Sequence, residues 1–149
     1  MKKSLSHTVW ECKYHVVWTP KRRRKIIYGQ LRNELKTILR KLCEYKGVEV
    51  LEGKMCIDHI HMCLSIPPKY SVSSIIGYLK GKSAMIVFEK YSSLKRNFKG
   101  HSFWARGYYV STVGLDEAKI RKYIQDQEIN ETVEDQYDND PSNPFKGSK

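Results

Sequence analysis

Apolar and polar residues alternate along residues 57–66. One set of alternate positions is apolar, namely Ile60, Met62, Leu64 and Ile66. The other set is polar or small, namely His59, His61, Cys63 and Ser65. Successive side chains of a β-strand point to opposite faces of its sheet. The pattern therefore predicts a strand with one apolar face, ended by Pro67 and Pro68.

Three other segments repeat apolar residues at the intervals of three and four that are typical of helices. The first predicted helix ends at Gly47, the second spans Ser71–Tyr91, and the third begins near Asp116. Their repeating positions are Leu31, Leu35, Ile38, Leu39 and Leu42; Val72, Ile75, Ile76 and Leu79; and Ile120, Tyr123, Ile124 and Gln127.

Stretches rich in β-branched and aromatic residues predict three more strands, over 11–18, 48–51 and 108–113. Residues 95–107 are polar and basic and predict a connector. The element order β-α-β-β-α-β plus a helix predicts an α+β fold. We expect a ferredoxin-like, RRM-like split βαβ antiparallel sheet with two helices on one face, and an additional C-terminal helix. The two helices are expected to leave uncovered the face that carries His59 and His61.

Charge is divided unevenly along the 149 residues, whose net charge is +11. Residues 1–125 hold 25 of the 27 basic and 9 of the 16 acidic residues, a charge of +16, and residues 126–149 carry −5. A strongly basic body predicts a polyanionic partner. We expect a folded domain over 1–128 and an acidic, flexible tail over 129–149.

Membrane and secreted classes do not fit the sequence. No apolar run approaches the roughly 20 residues of a membrane span, and no apolar stretch follows the basic N-terminus as in a signal peptide. The cysteines form no Cys-x-x-Cys pair, which favours free thiols in a reducing cytosol. We therefore expect a cytoplasmic protein without a membrane partner, associated with the nucleoid when it binds DNA.

His59 and His61 are the first candidates for chemistry. Two residues apart on a strand, they project from one face, so both imidazoles could bind one divalent cation. Two surface histidines would give the same triplet. A zinc site that includes Cys63 or Cys56 is a further alternative.

Tyr123 and Gln127 lie four residues apart, on one face of the last predicted helix. Packing of Tyr123 against its apolar neighbours is the structural alternative. A phenol with a pKa near about 10 attacks a phosphodiester poorly unless the phosphate is polarised. A divalent ion held by His59, His61 and Gln127 would polarise it. Tyr123 would then form a covalent phosphotyrosine, an intermediate suited to strand transfer.

Other residues are candidates for contact with DNA backbone or bases. Solvated loops and faces are the alternative for the basic residues, and core or dimer packing for the aromatic ones, Phe103 and Trp104. His15 on the first strand either supports the site or is structural. The predicted DNA-binding residues are Lys21, Arg22, Arg23, Arg24, Lys25, Lys80, Lys82, Trp104 and Arg106.

The stretch Asp58-His59-Ile60-His61 resembles the HUH motif of the single-tyrosine (Y1) transposases of the smallest insertion sequences, the IS-two-hundred group. The resemblance extends over most of residues 7–128. Its most specific blocks are Tyr14–Trp18, Tyr78–Ser83, Phe103–Gly114 and Ile120–Gln127.

This resemblance implies an enzyme that binds end hairpins and that cleaves and rejoins single-stranded DNA through a 5′-phosphotyrosine. It implies a homodimer with a Mg²⁺ or Mn²⁺ ion at each site. It also implies that Tyr123 is the nucleophile and that His59, His61 and Gln127 are the metal ligands. Gln125 is the alternative amide, although the i+4 position returns to the face of Tyr123 and i+2 does not.

Two other functions stay open. A non-catalytic module on the same scaffold would read single strands with exposed sheet aromatics. The glycine-aromatic signature of such a module is absent from the strand that carries His59. A related HUH nuclease acting on replication origins or chromosomal repeat hairpins would share the chemistry and differ in substrate.

Overall fold

The computed structural model describes residues 3–5, 8–98, 102–113, 121–122 and 124–126. It has a mixed α+β fold built on a four-stranded antiparallel sheet, as predicted. The strands are β1 (Lys3–Leu5), β2 (Thr8–Trp10), β3 (Lys13–Trp18), β4 (Glu49–Cys56), β5 (His59–Ser65) and β6 (Tyr109–Thr112). The helices are α1 (Gly29–Tyr45), α2 (Val72–Lys90) and α3 (Ser92–Asn97), with a 3₁₀ turn at Lys21–Arg23.

The main sheet has the strand order β4-β5-β3-β6, and every neighbouring pair is antiparallel. The two central strands are thus β3 and β5, in a register that sets Val17 opposite His61 and His15 opposite Cys63. On the other side of β5, Lys54 lies opposite His61 and Cys56 opposite His59. This register brings side chains from three strands onto the face that carries the two histidines.

Helices α1 and α2 pack in one apolar core with the opposite face of the sheet. The alternating apolar residues of β5 point into this core, as their spacing predicts. Its members include Val16 and Trp18 of β3, Ile60, Met62 and Leu64 of β5, Leu35 and Leu39 of α1, and Ile76 and Leu79 of α2.

Two helix boundaries follow from local chemistry. The hydroxyl of Ser71 accepts a hydrogen bond from the Ser74 N–H and so caps α2 at its start. After α1, Gly47 takes a φ of +67°, a left-handed conformation that glycine adopts without a Cβ clash. The prediction that Gly47 ends the first helix is confirmed.

The connector predicted over 95–107 is wrong in part, because its aromatic residues belong to the core. Phe98, Phe103 and Trp104 are buried, with ring centroids 5.3 Å apart for Phe98 and Phe103 and 4.6 Å apart for Phe103 and Trp104. Backbone hydrogen bonds tie this segment to the end of β3, from Lys21 N–H to the Phe103 carbonyl and from Ala105 N–H to the Thr19 carbonyl.

Three further differences separate the structure from the sequence pattern. The hairpin of β1 and β2 was not predicted, β4 runs on to Cys56 beyond the predicted 48–51, and α3 replaces part of the connector. Residues 121–122 and 124–126 are helical, within the predicted last helix. The remainder of that helix and the tail lie outside the described residues. Over the described part of the chain, no helix has both the length and the apolar character that a membrane crossing requires.

Candidate metal centre

The hairpin of β4 and β5 brings together two of the three predicted metal ligands. His59 and His61 lie on one face of β5, and both are buried, with 3% and 1% of their surface exposed. Helices α1 and α2 pack with the opposite face, as expected, so this burial comes from other parts of the chain. Part of its cover comes from the helical residues 121–122 and 124–126, among which Ile124 is completely buried.

Asp58 holds the ring of His59 from the hairpin turn. The His59 Nδ1 atom lies 2.6 Å from a carboxylate oxygen of Asp58, and the other carboxylate oxygen accepts a hydrogen bond of 3.0 Å from Arg23 Nε. Burial alone would raise the pKa of the Asp58 carboxyl, but His59 and Arg23 together hold that pKa below its usual value. Asp58 is thus an anionic acceptor that fixes the orientation of His59.

His15 of β3 holds the ring of His61. The His15 Nε2 atom lies 3.3 Å from the His61 Nδ1 atom, and the two rings stack with centroids 5.6 Å apart and planes 5° apart. Burial lowers the pKa of His15, and burial together with the nearby His59 and His15 lowers the pKa of His61 far below its usual value. Both rings are therefore neutral, which is the form of imidazole that binds metals.

The donor atoms of this cluster suit a divalent cation. Because Asp58 and His15 engage the Nδ1 atoms, the Nε2 atoms of His59 and His61 are the nitrogens that would face an ion. A ligand histidine whose other nitrogen bonds a carboxylate is a common arrangement in metal sites. Cys56 completes a group whose donor atoms all lie within 4.8 Å of one another. Gln127, the third predicted ligand, lies outside the described residues.

The helical residues 121–122 and 124–126 are bound to β4 through Glu52. Gln125 donates a 2.8 Å hydrogen bond to a Glu52 carboxylate oxygen, and Arg121 Nε lies 3.8 Å from the same oxygen. Glu52 is the cross-strand partner of Cys63, so it lies on the face that carries the histidines. Gln125, the alternative amide ligand, is thus exposed and bonded to β4. Tyr123, the predicted nucleophile, lies outside the described residues.

The predicted DNA-binding residues of the first basic run divide into two groups. Arg23 binds Asp58, and the Arg24 guanidinium lies 4.7 Å from the centre of the Phe98 ring. Arg22 and Lys25 are exposed and Lys21 is half-buried. Arg22 and Arg23 have φ angles of 59° and 53°, so the chain makes a left-handed turn within the basic run.

The later candidates divide in the same way. Lys80 donates hydrogen bonds of 2.8 Å to the carbonyls of Ala105 and Gly107, while Lys82 and Arg106 are exposed. Trp104 is in the core, where its indole N–H donates a 2.9 Å hydrogen bond to Ser83 and its ring meets Trp18 edge to face. Trp104 and Phe103 therefore pack in the core, and neither ring is available to stack on a base.

Sequence reasoning gave Asp58 and Arg23 no role beside the histidines, and it offered a supporting role for His15 only as one of two alternatives. Asp58 directly precedes His59, so its place in a tight turn offered a local signal, whereas Arg23 reaches it from 35 residues away. The sequence does not show which of the two histidine rings His15 contacts. The pairing of β3 with β5 determines that contact.

Comparisons with known proteins agree over nearly the whole chain. A family model described as "Transposase IS200 like" matches residues 8–127. The chain is 51% identical over 152 residues to a transposase of insertion sequence element IS200 from Salmonella typhimurium, covering 99% of this chain and 98% of that protein. It is 34% identical over 128 residues to the ISDra2 transposase TnpA of Deinococcus radiodurans, covering 85% and 91%.

A solved structure extends the agreement to three dimensions. The crystal structure of a putative transposase from Deinococcus radiodurans superposes with a TM-score of 0.70 at 30% identity. The match covers 86% of this chain and 98% of that one.

Proposed function

Because this chain belongs to the IS200-like transposases, we propose that it transposes DNA by cleaving and rejoining single strands at the ends of its element. The reaction would proceed through a 5′-phosphotyrosine on Tyr123. The observation that carries the proposal is the pair His59 and His61, buried on one face and each held through its Nδ1 atom. Histidines that bind a metal commonly have their second ring nitrogen held by a partner in this way.

The fold supports the same proposal. The order β4-β5-β3-β6 with two helices in one core fits a ferredoxin-like sheet. The helix that includes residues 121–126 would then carry Tyr123 to the histidine face, because its neighbours Arg121 and Gln125 contact Glu52 on that face. The proposed catalytic parts are the β4–β5 hairpin and this last helix.

In the proposed reaction, the Tyr123 oxygen attacks the scissile phosphorus and the bond to the 3′ oxygen breaks. The Tyr123 hydroxyl loses its proton, the leaving 3′ oxygen takes up a proton and becomes a free 3′-hydroxyl, and the 5′ phosphate stays on Tyr123. The reverse attack by a 3′-hydroxyl restores Tyr123 and joins the strand. A Mg²⁺ or Mn²⁺ ion held by His59, His61 and Gln127 would polarise the phosphate. Asp58 and His15 keep the two rings in position for this role.

Exposed basic residues would hold the DNA backbone. Arg22, Lys25, Lys82 and Arg106 are exposed on the described surface, in a chain whose residues 1–125 carry +16. We propose that they contact phosphates of single-stranded DNA and of the end hairpins. The homodimer implied by the family resemblance is part of the same proposal.

Replacing Tyr123 with Phe tests the assignment directly. We expect Tyr123→Phe to bind labelled single-stranded DNA from the ends of the element as the parent does. It should form no covalent adduct with Mg²⁺ or Mn²⁺ on a denaturing protein gel, because the attacking oxygen is gone. Tyr45→Phe, an exposed change on α1, is the control and should form the adduct normally. An adduct that persists in Tyr123→Phe would overturn the assignment.

The same assay separates the other candidate functions. A non-catalytic binding module would bind DNA in EDTA and yield no adduct with any metal. A HUH nuclease with another substrate would form the adduct on replication-origin or repeat-hairpin DNA and not on element ends. The naming of the 51% identical relative as an insertion-sequence transposase supports element ends as the first substrate to test.

A further inference from the structure

The β4–β5 hairpin carries a buried thiol that the proposed reaction does not use. Cys56 is the last residue of β4 and the direct cross-strand partner of His59, the first residue of β5. Directly opposed residues of an antiparallel pair present their side chains on one face. His61 lies two residues further along that face. The donor atoms of Cys56, His59 and His61 lie within 4.8 Å of one another, and all three residues are buried.

These distances fit a tetrahedral ion of the size of zinc. With Zn–N bonds of about 2.0–2.1 Å and Zn–S bonds of about 2.3 Å, neighbouring donor atoms lie roughly 3.3–3.6 Å apart. Closing the observed set around one ion needs a movement of about 1 Å or less for each side chain. The supports at Nδ1 already direct the Nε2 atoms of both imidazoles to the ion.

The donor types favour zinc over the ions of the proposed reaction. Thiolate sulfur and imidazole nitrogen are the donors of most zinc sites, while Mg²⁺ prefers oxygen and keeps several waters. With Gln127 as third ligand, the set would consist of two imidazole nitrogens and one amide oxygen. With Cys56 as third ligand, it consists of the same two nitrogens and a soft sulfur donor.

We propose that Cys56, His59 and His61 form a zinc site, and that zinc bound there excludes Mg²⁺ or Mn²⁺ from the histidines. On binding, the Cys56 thiol releases its proton to solvent and its sulfur bonds the metal. The zinc site itself requires only residues of the β4–β5 hairpin. Exclusion of the catalytic ion rests on the proposed function, because it requires that His59 and His61 also serve the reaction.

Cobalt spectroscopy tests the site independently of activity. Full-length protein, stripped of metal, is titrated with Co²⁺, an ion whose bond to thiolate gives an absorption band in the near ultraviolet. We expect this band in the parent chain and its loss on addition of one equivalent of Zn²⁺. Cys56→Ser should abolish the band and weaken Zn²⁺ binding by at least about tenfold, since even the outer supports of ligands are worth 10–100-fold.

Two matched variants identify the thiol. Cys63→Ser changes a buried cysteine two residues beyond His61, and Cys43→Ser changes a buried cysteine on α1. Both should keep the band. A parent chain without the band, or a band that survives in Cys56→Ser, would overturn the site. If Cys56→Ser does not fold, the parent spectrum still decides whether a thiolate binds, and loss of the band in Cys63→Ser or Cys43→Ser would still refute Cys56.

A second measurement tests exclusion. Zn²⁺ is titrated into cleavage reactions containing Mn²⁺, and each variant is normalised to its own rate without zinc. We expect micromolar or lower zinc to inhibit the parent chain, and at least about tenfold more zinc to be needed for Cys56→Ser. Equal inhibition of both would refute exclusion. A cobalt band without cleavage in any metal would refute the proposed function alone, and cleavage without a cobalt band would refute the zinc site alone.

Discussion

Asp58 and His15 hold the two histidines by different chemistry. His59 faces a carboxylate that is itself held by Arg23, whereas His61 faces a neutral imidazole. A carboxylate beside a ligand imidazole strengthens its bond to a metal, and a second imidazole does so much less. We therefore expect His59 to be the stronger of the two proposed ligands.

Asp58→Asn should weaken this donor while leaving the hairpin in place. We expect Mn²⁺ affinity, measured by calorimetry on the full chain, to fall about 10–100-fold, because the amide cannot replace the charge beside His59. Asp126→Asn removes the same charge at an exposed position and should leave the affinity unchanged. Equal Mn²⁺ affinities for the parent chain and Asp58→Asn would contradict the role given to Asp58.

The buried histidines also make stability depend on pH. Burial lowers the pKa of His15 and, with nearby positive charge, that of His61. As pH falls below about 6.5, the unfolded chain takes up protons at these residues and the folded chain does not. The free energy of unfolding should therefore fall with pH by up to about 1.4 kcal/mol per pH unit for each histidine.

Urea unfolding of metal-free protein between pH 7.5 and 5.5 checks this expectation. His15→Gln should show a shallower dependence on pH, since one of the two histidines is gone. Asp58 does not act in this window, because its lowered pKa matters only below about pH 4. Parallel curves for the parent chain and His15→Gln would show that His15 takes no part.

Part of the site could be predicted from single residues. The alternation on β5 predicts that His59 and His61 share a face, and the structure brings them together with ring centroids 4.6 Å apart. The burial of that face could not be predicted, because its cover comes from β3, β4 and a distant helical segment. The supports Arg23 and His15 lie 35 and 46 residues from their partners, beyond the reach of local patterns.

At the scale of elements, Lys80 fastens α2 to the segment before β6. Its ammonium group donates to the carbonyls of Ala105 and Gly107, and burial lowers its pKa. Lys82, two residues further on the same helix, is exposed. The two lysines were predicted as one DNA-binding pair, and the structure gives them different surroundings.

Two matched substitutions test whether Lys80 and Lys82 contribute differently to stability. Lys80→Met should lower the free energy of unfolding by about 2 kcal/mol, because two charged hydrogen bonds are lost. Lys82→Met should change it by less than about 0.5 kcal/mol. Lys82→Met should also reduce the salt dependence of single-strand binding by about 0.7 in the slope of log K against log salt. The idea fails if both variants are equally stable in urea.

The elements with strong periodicity could be predicted, and those that depend on distant partners could not. Helices α1 and α2 and strand β5 have clear repeats, and each forms close to its predicted range. Beyond residue 51, β4 contains Gly53 and the buried Lys54, which break the apolar pattern, and pairing with β5 carries the strand on to Cys56. Phe98 has polar neighbours in the sequence, so only its tertiary contacts reveal it as a core residue. For Trp104 the sequence left both core packing and base stacking open, and the contacts decide for the core.

At the scale of the whole molecule, some of the basic side chains bind other groups of the protein. Arg23 and Lys80 bind protein groups, while Arg22 and Arg106 are exposed. The backbone pairing of 19–21 with 103–105 brings the loops that carry Arg22 and Arg106 near each other. The basic side chains that can contact a DNA strand are therefore fewer than the 25 that residues 1–125 contain.

The salt dependence of DNA binding should report this distribution. Arg22→Gln combined with Arg106→Gln should lower the slope of log K against log salt by about 1.4, because two phosphate contacts are lost. Arg40→Gln combined with Lys41→Gln removes the same charge from exposed positions on α1 and should leave the slope nearly unchanged. Equal slopes for the two double variants would mean that net charge alone governs binding.

The short β4–β5 turn also limits how this gene can change. Only Ile57 and Asp58 join Cys56 to His59. Insertion or deletion of one codon within β5 would turn every later side chain of that strand to the other face of the sheet. Between His59 and His61, it would send His61 into the apolar core. Sequence length should therefore vary among relatives outside this hairpin and not within it, whatever substitutions accumulate elsewhere.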